Sequence, residues 1–297
     1  MTTITAKSTS LRPLTRARIL SLALNLPGPA ALMRCKAMGA TCVKLEPPQG
    51  DPMGHYNPQA YADMHKGVRV ACADLKTEAG QKMLHHELAK ADVLITSFRP
   101  SALQKLGLGW RPLRKRYPAL SQIAIVGSPG ARAEEPGHDL TYLAENDLVT
   151  GLDLPATLYA DMSGSLMASE AVLQAVMNLR NTGNGVFIEI ALSNAASYLA
   201  LPRTWGLSKL GAAVGGGHAG YQVYRCRDGR VAVAALEPHF ARRLCDAAGL
   251  QTQASQATQN MNKPATQLVI AAWMLTKTRK QLAQIALDKD IPLHAMV

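Results

Sequence analysis

Strands alternating with helices over residues 1–200 predict an α/β protein. Its large Rossmann-like domain holds a parallel sheet with helices on both faces, and a smaller α+β domain follows. Two observations carry this reading. Six short runs rich in β-branched residues are separated by helical patterns, the arrangement that parallel strands and crossover helices require. A glycine-rich stretch, Gly211 to Gly220, then interrupts the pattern before a hairpin and a run of helices.

The expected strands are 19–24, 41–45, 68–73, 93–96, 122–126 and 186–190. Between them, 29–38, 77–90 and 100–106 read as helices, with Gly39 a stop for the first. Residues 161–179 form a long apolar-rich helix, stopped by the Asn-Thr-Gly-Asn-Gly turn at 181–185. In the second half, 221–225 and 230–235 read as strands joined by Arg227-Asp228-Gly229, an Asp-Gly hairpin signal. Helical patterns follow at 238–248, 264–275 and 278–287. The domain boundaries are therefore 1–200, a linker at 201–217, and 218–297.

Composition narrows the function. A chain of 297 residues with 47% hydrophobic content buries a sizeable core. Its best apolar stretch, 19–26, is far too short to cross a membrane, so no membrane partner is expected. Cys35, Cys42, Cys72, Cys226 and Cys245 are scattered without a CxxC, which disfavours a disulfide scaffold or a thiolate zinc site and fits a reducing cytoplasm. The N-terminus is basic and Ser/Thr-rich up to Glu46, but a strand-like run begins at Ala17, so no cleaved leader is expected. The net charge of +11 invites nucleic acid, yet aromatics are only 5% and are not interleaved with the basic residues; a phosphate-bearing small ligand explains the same excess. There is no GxGxxG after a strand, no P-loop and no HExxH, which disfavours nicotinamide, nucleoside triphosphate and zinc chemistry.

Several segments carry a resemblance. Leu26-Pro-Gly-Pro29 leads into Met38-Gly-Ala-Thr-Cys-Val-Lys-Leu-Glu-Pro-Pro48; Lys66-Gly-Val-Arg69, Ala73-Asp-Leu-Lys76, Ser97-Phe-Arg-Pro100 and Leu103-Gln-Lys-Leu-Gly-Leu-Gly109 follow. Pro136-Gly-His-Asp-Leu-Thr-Tyr142, Asp161 and Ala234-Ala-Leu-Glu-Pro-His-Phe240 complete the order. Together these resemble the family III coenzyme A-transferases (the CaiB/BaiF family), and most of all its alpha-methylacyl-CoA racemase branch. There are departures. Ser97 stands where the family commonly has Asn, Ser101 where it has Gly, and Met162-Ser163-Gly164-Ser165 where two glycines are frequent. The connection from His138 to Asp161 is shorter than usual, and the chain stops at Val297 where the family continues back to the large domain.

The resemblance implies an enzyme whose substrate is an acyl-CoA thioester, with CoA as part of the substrate and no prosthetic group. His138 and Asp161 are then the acid/base pair that epimerises the α-carbon of a 2-methylacyl-CoA. Glu237 is the carboxylate that orients the histidine. If Gly137-His138-Asp139 opens a helix, the free amide of Asp139 serves the enolate oxygen. CoA contacts are implied for Ala73, Leu75, Lys76, Ser97, Phe98, Arg99, Lys105, Gly137, Asp139 and Tyr142, with arginine and lysine suited to its phosphates. Taken singly, Gly-His-Asp is most simply a turn into a helix, Asp161 an N-cap and Glu237 first-turn acid; in family order they point to chemistry. A CoA-transferase working through an aspartyl-CoA intermediate on Asp161 is the alternative. A catalytically degenerate acyl-CoA-binding protein is a further one. The shape of relatives implies a homodimer.

Overall fold

The computed structural model describes residues 11–250 and 260–296. The chain divides into two compact units, Met1–Ala200 and Leu201–Val297. In the first, β1 (Arg18–Ser21), β2 (Thr41–Glu46), β3 (Arg69–Cys72), β4 (Val93–Thr96), β5 (Ser121–Val126) and β6 (Phe187–Ala191) form one sheet in the order β3-β2-β1-β4-β5-β6. Every pairing is parallel. This is the doubly wound arrangement expected, with the order reversing between β1 and β4.

Because helices cover both faces, the central strands are largely apolar on both sides; all six residues of β5 are buried, whereas β3 at the edge is mostly exposed. The period of two still sorts them. Ile19, Ile95, Ile123 and Ile125 enter one core with Ala31, Leu32 and Cys35 of α1 (Pro27–Ala37) and Ala168, Val172 and Ala175 of the long helix Tyr159–Thr182. Leu20 and Leu94 point the other way, against Leu84 and Leu88 of the helix Glu78–Leu88, Leu103 of Pro100–Lys105 and Leu113 of Trp110–Arg116.

In chain order the helices of this unit are α1, α2 (Met53–Tyr56), α3 (Pro58–Met64), α4 (Glu78–Leu88), α5 (Pro100–Lys105), α6 (Trp110–Arg116), α7 (Asp139–Glu145), α8 (Tyr159–Thr182) and α9 (Leu192–Leu199). Helices α2, α3, α6 and α9 are additions to the sequence reading. The first two are short, and their Pro, Gly, His and Asn content reads locally as turn; Asn57 nonetheless caps α3, its Oδ1 accepting from the Ala60 N–H at 3.1 Å. Helix α8 starts at Tyr159 with Leu158 as N-cap, so Asp161 lies inside the first turn and is not the cap. The helix ends at Gly183, whose φ of 71° is the left-handed stop expected in that turn.

The second unit opens with α10 (Leu201–Thr204) and contains the antiparallel sheet β7-β8-β9, made of Tyr221–Cys226, Gly229–Ala234 and Leu293–Met296. The hairpin was legible; β9, a four-residue strand directly after Pro292, was not. Helices α11 (Pro238–Ala247), α12 (Pro264–Leu275) and α13 (Arg279–Lys289) pack Leu244, Ile270, Met274 and Leu282 against Tyr224, Val231 and Val233. Among the described residues no helix is long and apolar enough to cross a membrane.

Leu94, fully buried in the sheet, tests the two-faced core. Leu94→Ala should lower unfolding free energy by about 2–5 kcal/mol in urea denaturation, through lost transfer energy plus the residual cavity.

Candidate active site

The reversal between β1 and β4 opens a crevice at the carboxyl ends of the strands. A cavity of about 900 Å³ lies there, wholly within the first unit. Leu24 to Pro27 line it after β1, Ser97 to Arg99 after β4, and Ile125 to Gly127 at the end of β5. Its remaining wall includes Met53, Tyr56, Glu135, Gly137, His138, Asp139, Leu140, Tyr142, Leu158, Asp161 and Leu192.

His138 and Asp161 therefore share one cavity. His138 is the N-cap of α7, and its backbone is locked from both sides: its N–H donates to Thr141 Oγ1 at 3.1 Å, and that hydroxyl donates back to the His138 carbonyl at 2.7 Å. The imidazole itself is exposed to the cavity. Because α7 opens at Asp139, the amide of that residue is the first of the helix and has no intrahelical acceptor, as expected for the enolate donor.

The Asp139 side chain does something the sequence did not suggest. It is buried, and its Oδ1 accepts the backbone N–H of Asp161 at 2.9 Å. Asp139 thus caps the first turn of α8 from another helix and ties His138's neighbour to Asp161. The Asp161 carboxyl is pushed up to about 6, first by burial and then by the Asp139 carboxylate, while His138 pulls the other way.

Tyr142, 6% exposed, reaches the same cavity between two glycines. A Cβ on Gly127 would stand 2.3 Å from its hydroxyl oxygen, and one on Gly137 would fall 2.6–2.8 Å from the ring and hydroxyl. Gly137 is glycine because the phenol fills the space a side chain would need. Burial raises the Tyr142 phenol, Asp161 raises it further, and Arg99 opposes them.

The other candidate residues divide into two groups. Ser97, Phe98 and Arg99 line the cavity, with the Leu24 N–H donating to Ser97 Oγ at 3.1 Å. Arg99 is the exposed N-cap of α5. Nearby, Glu134 accepts from the Ser101 N–H at 2.6 Å and hydroxyl at 2.8 Å, and these bonds hold its carboxyl below the usual range, helped by Arg99 and Lys105. Ala73, Leu75 and Lys76 follow β3, at the same end of the sheet but two strands away from the reversal, and they are not part of the cavity wall. Lys105 lies in the last turn of α5, also off the wall. Glu237 is the exposed N-cap of α11 in the second unit.

Sequence reasoning missed the wall formed by Leu24 to Pro27, Met53 and Tyr56. It also missed a buried cluster behind that wall. Glu46, Asp51 and His65 bring ligand atoms within 4.8 Å of one another, the grouping a metal ion would need. The ammonium of Lys44 fills that position, at 3.0 Å from Glu46, 2.9 Å from His65 Nε2 and in contact with Asp51. A lysine therefore supplies the cation.

The family model for CoA-transferase family III matches residues 14–296. Among curated relatives, a probable fatty acyl-CoA transferase of Mycobacterium tuberculosis is 25% identical, over 94% of this chain and 81% of its own length. The alpha-methylacyl-CoA racemase of Homo sapiens is 28% identical over 87% of this chain and 71% of that protein. A cinnamoyl-CoA:phenyllactate CoA-transferase of Clostridium sporogenes is 28% identical over 61% of this chain and 49% of that one. Of solved structures, a Mycobacterium tuberculosis protein superposes with a TM-score of 0.83 at 23% identity, covering 97% of this chain and 85% of its own, a likeness of fold. A match running from Leu14 to Met296 in a doubly wound fold, with Ser97 to Arg99, Pro136 to Leu140 and Asp161 gathered at the crevice, places the chain in CoA-transferase family III.

Proposed function

We propose that the protein epimerises the α-carbon of a 2-methylacyl-CoA thioester by proton transfer between Asp161 and His138. The observation that carries this reading is the presence of both side chains in one cavity, with Asp161 pushed up to about 6. A thioester acidifies its α-hydrogen. A carboxylate of raised pKa is a stronger base than an ordinary aspartate and is still ionised at neutral pH. Asp161 removes the α-proton from one face, and the electron pair moves onto the thioester oxygen. The Asp139 amide donates to that oxygen as its charge develops. His138 returns a proton to the opposite face, and the reverse reaction exchanges the roles. CoA enters as part of the substrate, with Arg99 at the mouth meeting its phosphates. The five cysteines are free, which suits a reducing cytoplasm.

A second reading rests on Asp161 alone and on relatives named as CoA-transferases. There the carboxylate attacks the thioester carbonyl and expels CoA as thiolate; the thiolate then attacks the aspartyl carbonyl of the mixed anhydride, releasing the acyl group as its carboxylate and leaving an aspartyl-CoA thioester. Acyl transfer leaves His138 without a task, and this favours proton transfer.

Incubation with a 2-methylacyl-CoA in deuterium oxide separates the two. Solvent deuterium should enter the α-carbon without any acceptor acid, and the Asp161-dependent step should slow as pH falls through about 6. His138→Ala and Asp161→Ala should each reduce racemisation by roughly 10²–10⁴-fold. An Asp161–CoA adduct with no deuterium at the α-carbon would establish the transferase.

Arg99→Ala should weaken acetyl-CoA binding by about 1.5–3 kcal/mol in isothermal titration, through loss of a charge-assisted contact. An unchanged affinity in the folded variant removes Arg99 from the site.

Tuning Asp161 also costs stability. Its folded pKa of about 6 lies above the ordinary 3.8, so between those values the native state holds more protons than the unfolded chain and stability declines as pH rises. Asp161→Asn should therefore be more stable than the wild type at pH 7, by about 1–3 kcal/mol, while inactive. Thermal unfolding at pH 4 and at pH 7 should show the gain only at the higher value.

A further inference from the structure

We propose that Asp51, neutralised by Lys44, is a positioning residue of the acyl-CoA site: it holds the left-handed turn at Asn25 and the start of α2, and so sets the wall that brings Asn25, Met53 and Tyr56 to the cavity. The inference rests on the acyl-CoA reading of that cavity and adds to it a residue that never touches substrate.

Asp51 is 2% exposed. Its carboxylate accepts the Asn25 N–H on both oxygens, at 3.0 and 3.2 Å, and the Met53 N–H at 3.0 Å. Those two amides belong to separate segments, the loop after β1 and the first residue of α2, and both residues line the cavity. Asn25 has φ of 65°, a conformation that disfavours side-chain-bearing residues and needs support from its surroundings. The two oxygens aimed at its N–H are that support.

A buried carboxylate is tolerated only if its charge is met. Lys44, on β2 and fully buried, meets it, hydrogen-bonding to Asp51 and His65 and pairing its charge with Glu46 as well. His65 Nδ1 lies 2.7 Å from the Tyr61 carbonyl and so carries the proton, which leaves Nε2 free to accept from Lys44. Tyr61 in turn donates its hydroxyl to Glu46 at 2.9 Å. The network anchors α2 and α3 to the sheet, and Asp51 is the member that reaches the cavity wall. Tyr56, at the far end of α2, is carried with it; burial raises its phenol, and the Asp51 and then the Asp161 carboxylate raise it further.

The test is a double-mutant cycle on acetyl-CoA affinity, with Asp51→Asn and Asn25→Gly made singly and together. Asp51→Asn keeps the shape but loses the charge, and should weaken binding on the order of 10- to 100-fold by misplacing the wall. Glycine adopts positive φ freely, so in the Asn25→Gly background the same change should cost far less. The rescue should appear in affinity and not in Tm, because the buried ammonium is left short of a partner in both backgrounds. If the two effects multiply within about twofold, Asp51 does not act through this turn and the inference is overturned. If Asp51→Asn does not fold, Asn25→Ala and Asn25→Gly pose the same question with the network intact. Alanine should then bind acetyl-CoA roughly 5- to 30-fold more weakly than glycine, and equal affinities overturn the inference. A wild-type protein that fails to bind acetyl-CoA removes the acyl-CoA reading, whereas wild-type binding with additive variants removes this inference alone.

Discussion

Strand β1 hydrogen-bonds to β2 on one side and β4 on the other, and the chain leaves it toward opposite sides of the sheet. Right-handed crossovers running in opposite directions from one point cannot close over the strand ends. The crevice is therefore a consequence of strand order, and it exists before any catalytic residue is chosen. Segments that follow β1, β4 and β5 reach it because parallel pairing puts all their carboxyl ends at one edge. A histidine at the start of α7 and an aspartate in the first turn of α8 reach it for the same reason.

Around that crevice, buried carboxylates work as struts. Asp139 and Asp51 each accept backbone N–H groups from segments distant in sequence, one from the first turn of α8 and the other from two pieces of the cavity wall. Such bonds are strong because the acceptor is charged and water is excluded. They also burden the neighbourhood with negative charge. Lys44 offsets it behind the wall. Near Asp161 burial and the Asp139 carboxylate outweigh His138, and the result is a carboxyl with a raised affinity for protons.

The sheet was legible because its central strands are largely apolar and its strands are bounded by turn residues; Val93–Thr96 was read to the residue. The short helices α2 and α3 were not, since their residues carry turn chemistry and only tertiary contacts make them helical. The start of α8 was misplaced by two residues because its capping group, Asp139, lies 22 residues upstream. His138 and Asp161 were found as motif positions, but the link between them is non-local and left no trace in spacing. Lys44 was read past altogether. A lysine within Val43-Lys44-Leu45 looks like a strand's outward-facing charge, and its partners Asp51 and His65 stand 7 and 21 residues away. Leu24 to Pro27 and Met53 have no reactive groups to mark them, so only the topology assigns them to the site.

One bond also bears on the connection between the two candidate acid/base residues. Residues 147–158 run between α7 and α8 with Leu152 and Leu154 fully or largely exposed. That segment is not all that links His138 to Asp161. The Asp139 carboxylate does so too, by clasping the Asp161 amide directly. The segment is thus not the only tie between the start of α7 and the first turn of α8: a change in its length would leave the Asp139–Asp161 bond in place. One buried carboxylate therefore does what a long stretch of exposed chain cannot: it holds two helix starts in register without depending on what joins them.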